Sequence, residues 1–118
     1  MEDISIIIEK LRKANLTISV AESCTGGRIA SNIVSFDGAS EFFLGGVVTY
    51  STHSKIRILN IDKKRIELYG VVSPEIAKDM SKAVKDLFDS DISISITGNV
   101  GSKSCLLYTS PSPRDKTV

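Results

Sequence analysis

Ser23 and Cys24 are adjacent potential nucleophiles inside the run Ala21-Glu22-Ser23-Cys24-Thr25-Gly26-Gly27. Acyl transfer from such a group needs a nearby base, donors for the oxyanion, and a turn that holds both. The β-branched stretch Thr17-Ile18-Ser19-Val20 precedes the run and a helix-compatible stretch, Arg28 to Val34, follows it. That order predicts a strand turning sharply into a helix. A turn of this kind leaves backbone N–H groups pointing outward at the positive end of a helix dipole, where a phosphate or an oxyanion is favoured. Thr25, Gly26 and Gly27 are the small residues that lead into the helix. Ser23 reads equally well as a nucleophile or as an N-cap. Cys24 reads as a thiol activated by the helix terminus or as a small buried hydrophobe. Glu22 reads as a group that orients a partner or as a cap.

A serine nucleophile needs a base, and the chain has one histidine, His53, in a polar stretch that reads as solvated surface. Lys55 is the alternative, provided it is neutral enough to accept a proton. Burial disfavours its charged form, and so does the positive end of a helix capped by Ser51. A plain surface lysine is the competing reading. Tyr50, at the end of the preceding strand, would relay a proton or hold the lysine, or serve only as a strand-end aromatic. Thr97 and Gly98, at the end of a later strand, bring a hydroxyl and N–H groups to the same side, where α/β sheets bind ligands; an ordinary glycine turn is the alternative. Arg28 and Lys103 read as phosphate partners or as scattered surface charge.

These residues must be positioned by alternating elements. Ile4, Ile7, Ile8 and Leu11 recur at helical spacing after Asp3. Phe42 to Tyr50 reads as a buried strand with two glycines, then Ser51 caps a helix through Leu59, and a turn or helix from Asp62 to Tyr69 stops at Gly70. Ser73-Pro74-Glu75 is a helix start, with a cap, a proline at the first helical position and an acid near the positive end. Ile76, Ala77, Met80, Ala83, Val84, Leu87 and Phe88 then form one apolar stripe. Asp91 to Thr97 alternates Ile and Ser and ends in the glycine turn Thr97-Gly98-Asn99-Val100-Gly101. The pattern predicts an α/β fold: a layered α/β/α sandwich around a largely parallel sheet.

With 118 residues, the chain holds one domain with a modest core. A net charge of +1, from 15 basic and 14 acidic residues, gives no electrostatic case for nucleic acid or a membrane surface. No apolar run is long enough to span a bilayer, the acidic start is unlike a signal peptide, and a cytoplasmic location is expected. Two distant cysteines argue against a disulfide scaffold or a zinc site. After Gly101 the periodicity ends. Cys105 to Asp115 looks like the translation of a transposase sequencing adapter, so residues 1–104 are expected to be the domain, incomplete at its C-terminus, and 105–118 a non-native, disordered tail.

Ala21 to Gly27, Phe43 to Ser51, Lys55, Gly70-Val71-Val72-Ser73 and Ile96-Thr97-Gly98 together resemble the C-terminal, deamidase domain of the competence/damage-inducible CinA proteins. The resemblance runs from about Ile4 to Gly101 with its motifs in order. Stand-alone members of that family are nicotinamide mononucleotide amidohydrolases. The resemblance therefore implies hydrolysis of that small nucleotide's carboxamide to nicotinate mononucleotide and ammonia, in pyridine-nucleotide recycling, with no metal and no cofactor. It implies Ser23 as nucleophile, Lys55 as general base with Tyr50 beside it, and Thr97 as a substrate contact. Glu22, Thr25, Gly26, Gly27, Thr97 and Gly98 form the expected substrate-binding set. Family domains continue past the Thr-Gly turn with further strands, a closing helix and an arginine that contacts substrate, whereas this chain has Ser102 where proline is usual. The 118-residue chain is accordingly expected to be unstable or inactive, with a homodimer conceivable only for a full-length parent. A non-catalytic nucleotide- or phosphate-binding module, or a regulatory remnant, is the alternative.

Overall fold

The computed structural model describes residues 3–99 and 104–110. Gly101, Lys103 and the stretch 111–118, which figured in the sequence reading, lie outside the described residues. The chain forms α1 (Asp3–Ala14), β1 (Ile18–Glu22), α2 (Arg28–Val34), β2 (Phe43–Val48), α3 (Thr52–Leu59), α4 (Lys63–Tyr69), α5 (Pro74–Phe88), β3 (Ile92–Asn99) and β4 (Ser104–Ser110), with a short 3₁₀ turn at Ala39–Glu41. The sheet order is β2-β1-β3-β4. β1 runs parallel to both β2 and β3, and β4 closes the far side antiparallel to β3.

Two apolar layers enclose this sheet, which is the expected α/β/α sandwich. On one face Ile4, Ile8 and Leu11 of α1 and Ile29 and Ile33 of α2 pack on Ile18, Val20 and Ile94. On the other, Ile76, Met80 and Val84 of α5 pack with Leu59, Ile61, Ile66 and Ala21. The chain leaves β1 for β2 through α2 on one side, then returns across β1 to β3 through α3, α4 and α5. The carboxyl end of β1 is thus a topological switch point, the position where open α/β sheets form their ligand crevice.

The helix signals act as their chemistry dictates. The Ser51 side chain accepts from Ser54 N while Ser54 returns the bond, a capping box that starts α3. Ser73 accepts from Ile76 N and Pro74 occupies the first position of α5. Asn60 and Asp89 end α3 and α5 in the left-handed conformation.

The alternation in β3 has both faces buried rather than one solvated. Ile94 and Ile96 are buried, and the intervening hydroxyls bond to α5 or to the loop before it. Ser93 donates to the Ser81 carbonyl at 2.7 Å, Ser95 to the Ala77 carbonyl at 2.5 Å, and Thr97 to the Val71 carbonyl at 2.8 Å.

Two expectations need correction. The stretch 42–50 is not a buried strand throughout: β2 spans Phe43–Val48 at the outer edge of the sheet, so Leu44 and Val48 are exposed. Nor is the chain beyond residue 104 wholly a disordered tail. Ser104–Ser110 pair with β3 in register from Asn99↔Ser104 to Ser93↔Ser110, because β3 otherwise presents an unpaired row of N–H and C=O groups.

Candidate active site

Ser23 follows the last residue of β1 and begins the five-residue turn into α2. It is not the N-cap of that helix. The N-cap is Gly27, at φ 109°, which has no side chain with which to cap. The cap comes instead from Glu22. One carboxylate oxygen of Glu22 accepts from Thr25 Oγ1 at 2.7 Å, Gly27 N at 3.1 Å and Ile29 N at 2.8 Å, and the other accepts from Ala30 N at 2.8 Å. Glu22 is buried, and its carboxylate faces the turn. Gly26 N donates to the Ser23 carbonyl and Arg28 N to the Thr25 carbonyl. Of the three backbone donors expected to face a ligand, those of Gly26 and Gly27 are therefore spent inside the turn, which corrects the sequence reading for these two; the Thr25 hydroxyl is spent there as well. The physical reason is that a buried carboxylate at the positive helix end satisfies the orphan N–H groups locally.

The Ser23 hydroxyl is left facing α3. Lys55 Nζ stands 2.8 Å from Ser23 Oγ, 2.7 Å from the Thr49 carbonyl oxygen and 3.3 Å from that of Tyr50. Thr49 still donates its N–H to the Glu22 carbonyl of β1, but β2 ends at Val48, and the carbonyls of Thr49 and Tyr50 turn to the lysine instead of to a strand. Lys55 is 1% exposed, and burial lowers it from the ordinary 10.5 to about 8. As an ammonium it donates one N–H to each of the three oxygens. As a neutral amine it keeps two N–H bonds to the carbonyls and turns its lone pair to the Ser23 hydroxyl. The two carbonyls thus aim the lysine, and burial brings its pKa close to neutral pH.

The remaining predicted residues are placed less centrally. Tyr50 is 65% exposed and reaches the pair through its main-chain carbonyl, not its phenol. Thr97 is buried, with its hydroxyl bonded to Val71, and Gly98 pairs in the β3–β4 ladder. Arg28 and His53 are exposed. Cys24 is disulfide-bonded, where the sequence had argued against a disulfide scaffold, so its thiol is not free and Ser23 carries the hydroxyl held at Lys55. Sequence reasoning missed the main-chain carbonyl of Thr49. Residue type gives no hint of it, since every residue carries that acceptor.

Among the described residues no group of three or more His, Cys, Asp and Glu side chains is placed to hold a metal ion. None of them forms a helix long and apolar enough to cross a membrane. A cleft of about 560 Å³ lies away from the pair, between α3–α4 and α5, lined by Ile58, Asp62, Arg65, Asp79 and Leu87 among others.

A switch-point serine held against a buried lysine defines this chain as an α/β protein with a Ser–Lys pair. Residues 2–106 match the CinA C-terminal domain, and the chain belongs to that family. It is 44% identical over 95 residues to a CinA-like protein of Petrotoga mobilis, covering 80% of this chain and 24% of that protein. Protein MG115 of Mycoplasma genitalium is 42% identical over 99 residues, which is 84% of this chain and 63% of that one. The chain thus spans about a quarter of the length of the first of these relatives. A solved CinA superfamily protein of Escherichia coli superposes with a TM-score of 0.80 at 28% identity, over 90% of this chain and 72% of its own. The competence/damage-inducible protein of Agrobacterium tumefaciens shares the fold, with a TM-score of 0.79 at 24% identity over 93% of this chain and 79% of its own.

Proposed function

We propose that this domain is an amidohydrolase acting through Ser23, with nicotinamide mononucleotide as the substrate. One observation carries the reading: Lys55 Nζ lies 2.8 Å from Ser23 Oγ, buried and aimed by two carbonyls. The neutral lysine takes the Ser23 proton as Oγ attacks the carboxamide carbon. The ammonium so formed stays bonded to the Thr49 and Tyr50 carbonyls and holds the transferred proton at the reacting centre. It then returns the proton to the leaving nitrogen, and ammonia departs from a Ser23 ester. Water, deprotonated by Lys55, attacks that ester; the proton passes to Ser23 Oγ, and nicotinate mononucleotide is released. The substrate and its place in pyridine-nucleotide recycling rest on the family resemblance, as do the roles of Tyr50, Thr97 and Gly98 at the substrate.

The test is ammonia release from nicotinamide mononucleotide, by the 118-residue chain and by a longer protein carrying this domain. Release of ammonia is expected wherever the Ser23–Lys55 pair is intact. In the active form, Ser23→Ala and Lys55→Met lower kcat by about a thousandfold, within the range for losing a nucleophile or base. Wild-type kcat/KM rises with pH through a midpoint near 8, following loss of the Lys55 proton. Full activity in Ser23→Ala would discard the serine mechanism. Nucleotide binding without ammonia release from the longer protein would assign the domain to a binding module.

A further inference from the structure

Four hydrogen bonds converge on the carboxylate of Glu22, the residue before Ser23. The seven residues of α2 begin at a glycine cap that offers no side-chain acceptor. A helix start of that kind would be completed by water or by a bound anion. Here the anion is built into the chain. Glu22 is 1% exposed and collects the Thr25 hydroxyl and the N–H groups of Gly27, Ile29 and Ala30. Its own carbonyl accepts from Thr49 N at 2.8 Å, and the carbonyl of Thr49 is one of the two that aim Lys55.

We infer that Glu22 is a positioning residue for the Ser23–Lys55 pair: its carboxylate clamps the start of α2 back onto the end of β1 and so fixes the Ser23 hydroxyl at the lysine. The inference rests on the reading of Ser23 as an activated nucleophile. The Glu22 carboxylate bonds are all to the turn and to α2, none to Lys55. Glu22 acts through backbone. The residue before Ser23 is anchored to the last amide of the turn and to two in the first turn of α2, so the turn cannot open without breaking charge-assisted bonds, which are about twice as strong as neutral ones. The same anchorage closes the N-terminus of α2 to any anionic group of a ligand, because the donors that would meet it are taken.

Glutamine at this position keeps one acceptor oxygen but places an NH₂ against an N–H. Glu22→Gln should therefore break at least the Ala30 bond while preserving shape. Thr25→Val removes one donor to the carboxylate and Thr25→Ser restores it. The first readout is labelling of Ser23 by a fluorophosphonate, followed by mass spectrometry on the 118-residue chain across pH. Glu22→Gln is expected to lower the plateau rate about tenfold and to leave the midpoint near that of the wild type. Thr25→Val should lower it about threefold, and Thr25→Ser should match the wild type. The second readout is native-state amide exchange: Ile29 and Ala30 should exchange at least tenfold faster in Glu22→Gln, with the amides of α5 unchanged.

Faster exchange at Ile29 and Ala30 with undiminished labelling would overturn the inference, leaving Glu22 as a helix cap alone. Unchanged exchange would overturn it too, by removing the clamp. A midpoint moved by a whole unit would overturn it by showing that Glu22 acts on the lysine's charge. A wild-type chain that resists labelling while Glu22→Gln still accelerates exchange would reject the activated serine instead, and leave the clamp standing.

Discussion

Burial places an electrostatic penalty on Lys55, and the penalty has a measurable sign. The folded chain releases its proton near pH 8 and an unfolded chain near 10.5. Below pH 8 both states hold the proton, and burying it costs the folded state about 3 kcal/mol relative to the neutral form. Between these values the unfolded state binds more protons, so stability rises with pH and the penalty is gone above 10.5. Denaturant unfolding of the wild type and Lys55→Met should therefore show the wild type gaining about 3 kcal/mol on the variant from pH 8 to 10.5. A constant difference across that window would place the lysine charge in solvent. Ser23 and Lys55 were legible in the sequence as candidates, because a hydroxyl and an amine are side-chain groups. The carbonyls of Thr49 and Tyr50 that aim the lysine were not, since only the end of a strand decides which main-chain oxygens are free.

The elements meet closely where small residues allow it. A Cβ on Gly46 would press into Val20 Cγ2 and stand 2.7 Å from the Val20 carbonyl oxygen, so β2 can pair with β1 at this point only without a side chain. Gly46→Ala is expected to destabilise the chain by about 2 kcal/mol, the usual range for overpacking, read as a lower denaturant midpoint at unchanged slope. A midpoint equal to that of the wild type would mean that β2 shifts freely. The serines of β3 serve the other face. Their hydroxyls bond to α5 carbonyls and let the helix lie close, which is why the alternation of Ile and Ser marks a strand buried on both sides. Period-two alternation announces a strand; whether its polar face meets water or a helix is settled by what packs there.

At the scale of the molecule, the antiparallel β4 decides whether β3 is an inner strand or an edge. Removing residues 104–118 would expose the β3 ladder and the part of α5 that packs on β4. That shortened chain is expected to melt at lower temperature and to scatter light on heating, measured by thermal unfolding with static scattering. Equal melting and no scattering would make β4 dispensable to the fold. The sequence by itself determined the order of helices and strands, their caps, the two apolar stripes and the candidate pair Ser23 and Lys55, because periodicity, capping chemistry and residue type are local. It could not determine that Glu22 turns inward to cap α2, that Tyr50 contributes a carbonyl rather than its phenol, or that Ser104–Ser110 join the sheet. Each of those depends on which buried donor or open strand edge lies within bonding distance once the chain has closed. Only the tertiary structure sets those distances, since a polar group taken out of water is held by whatever partner the fold brings to it.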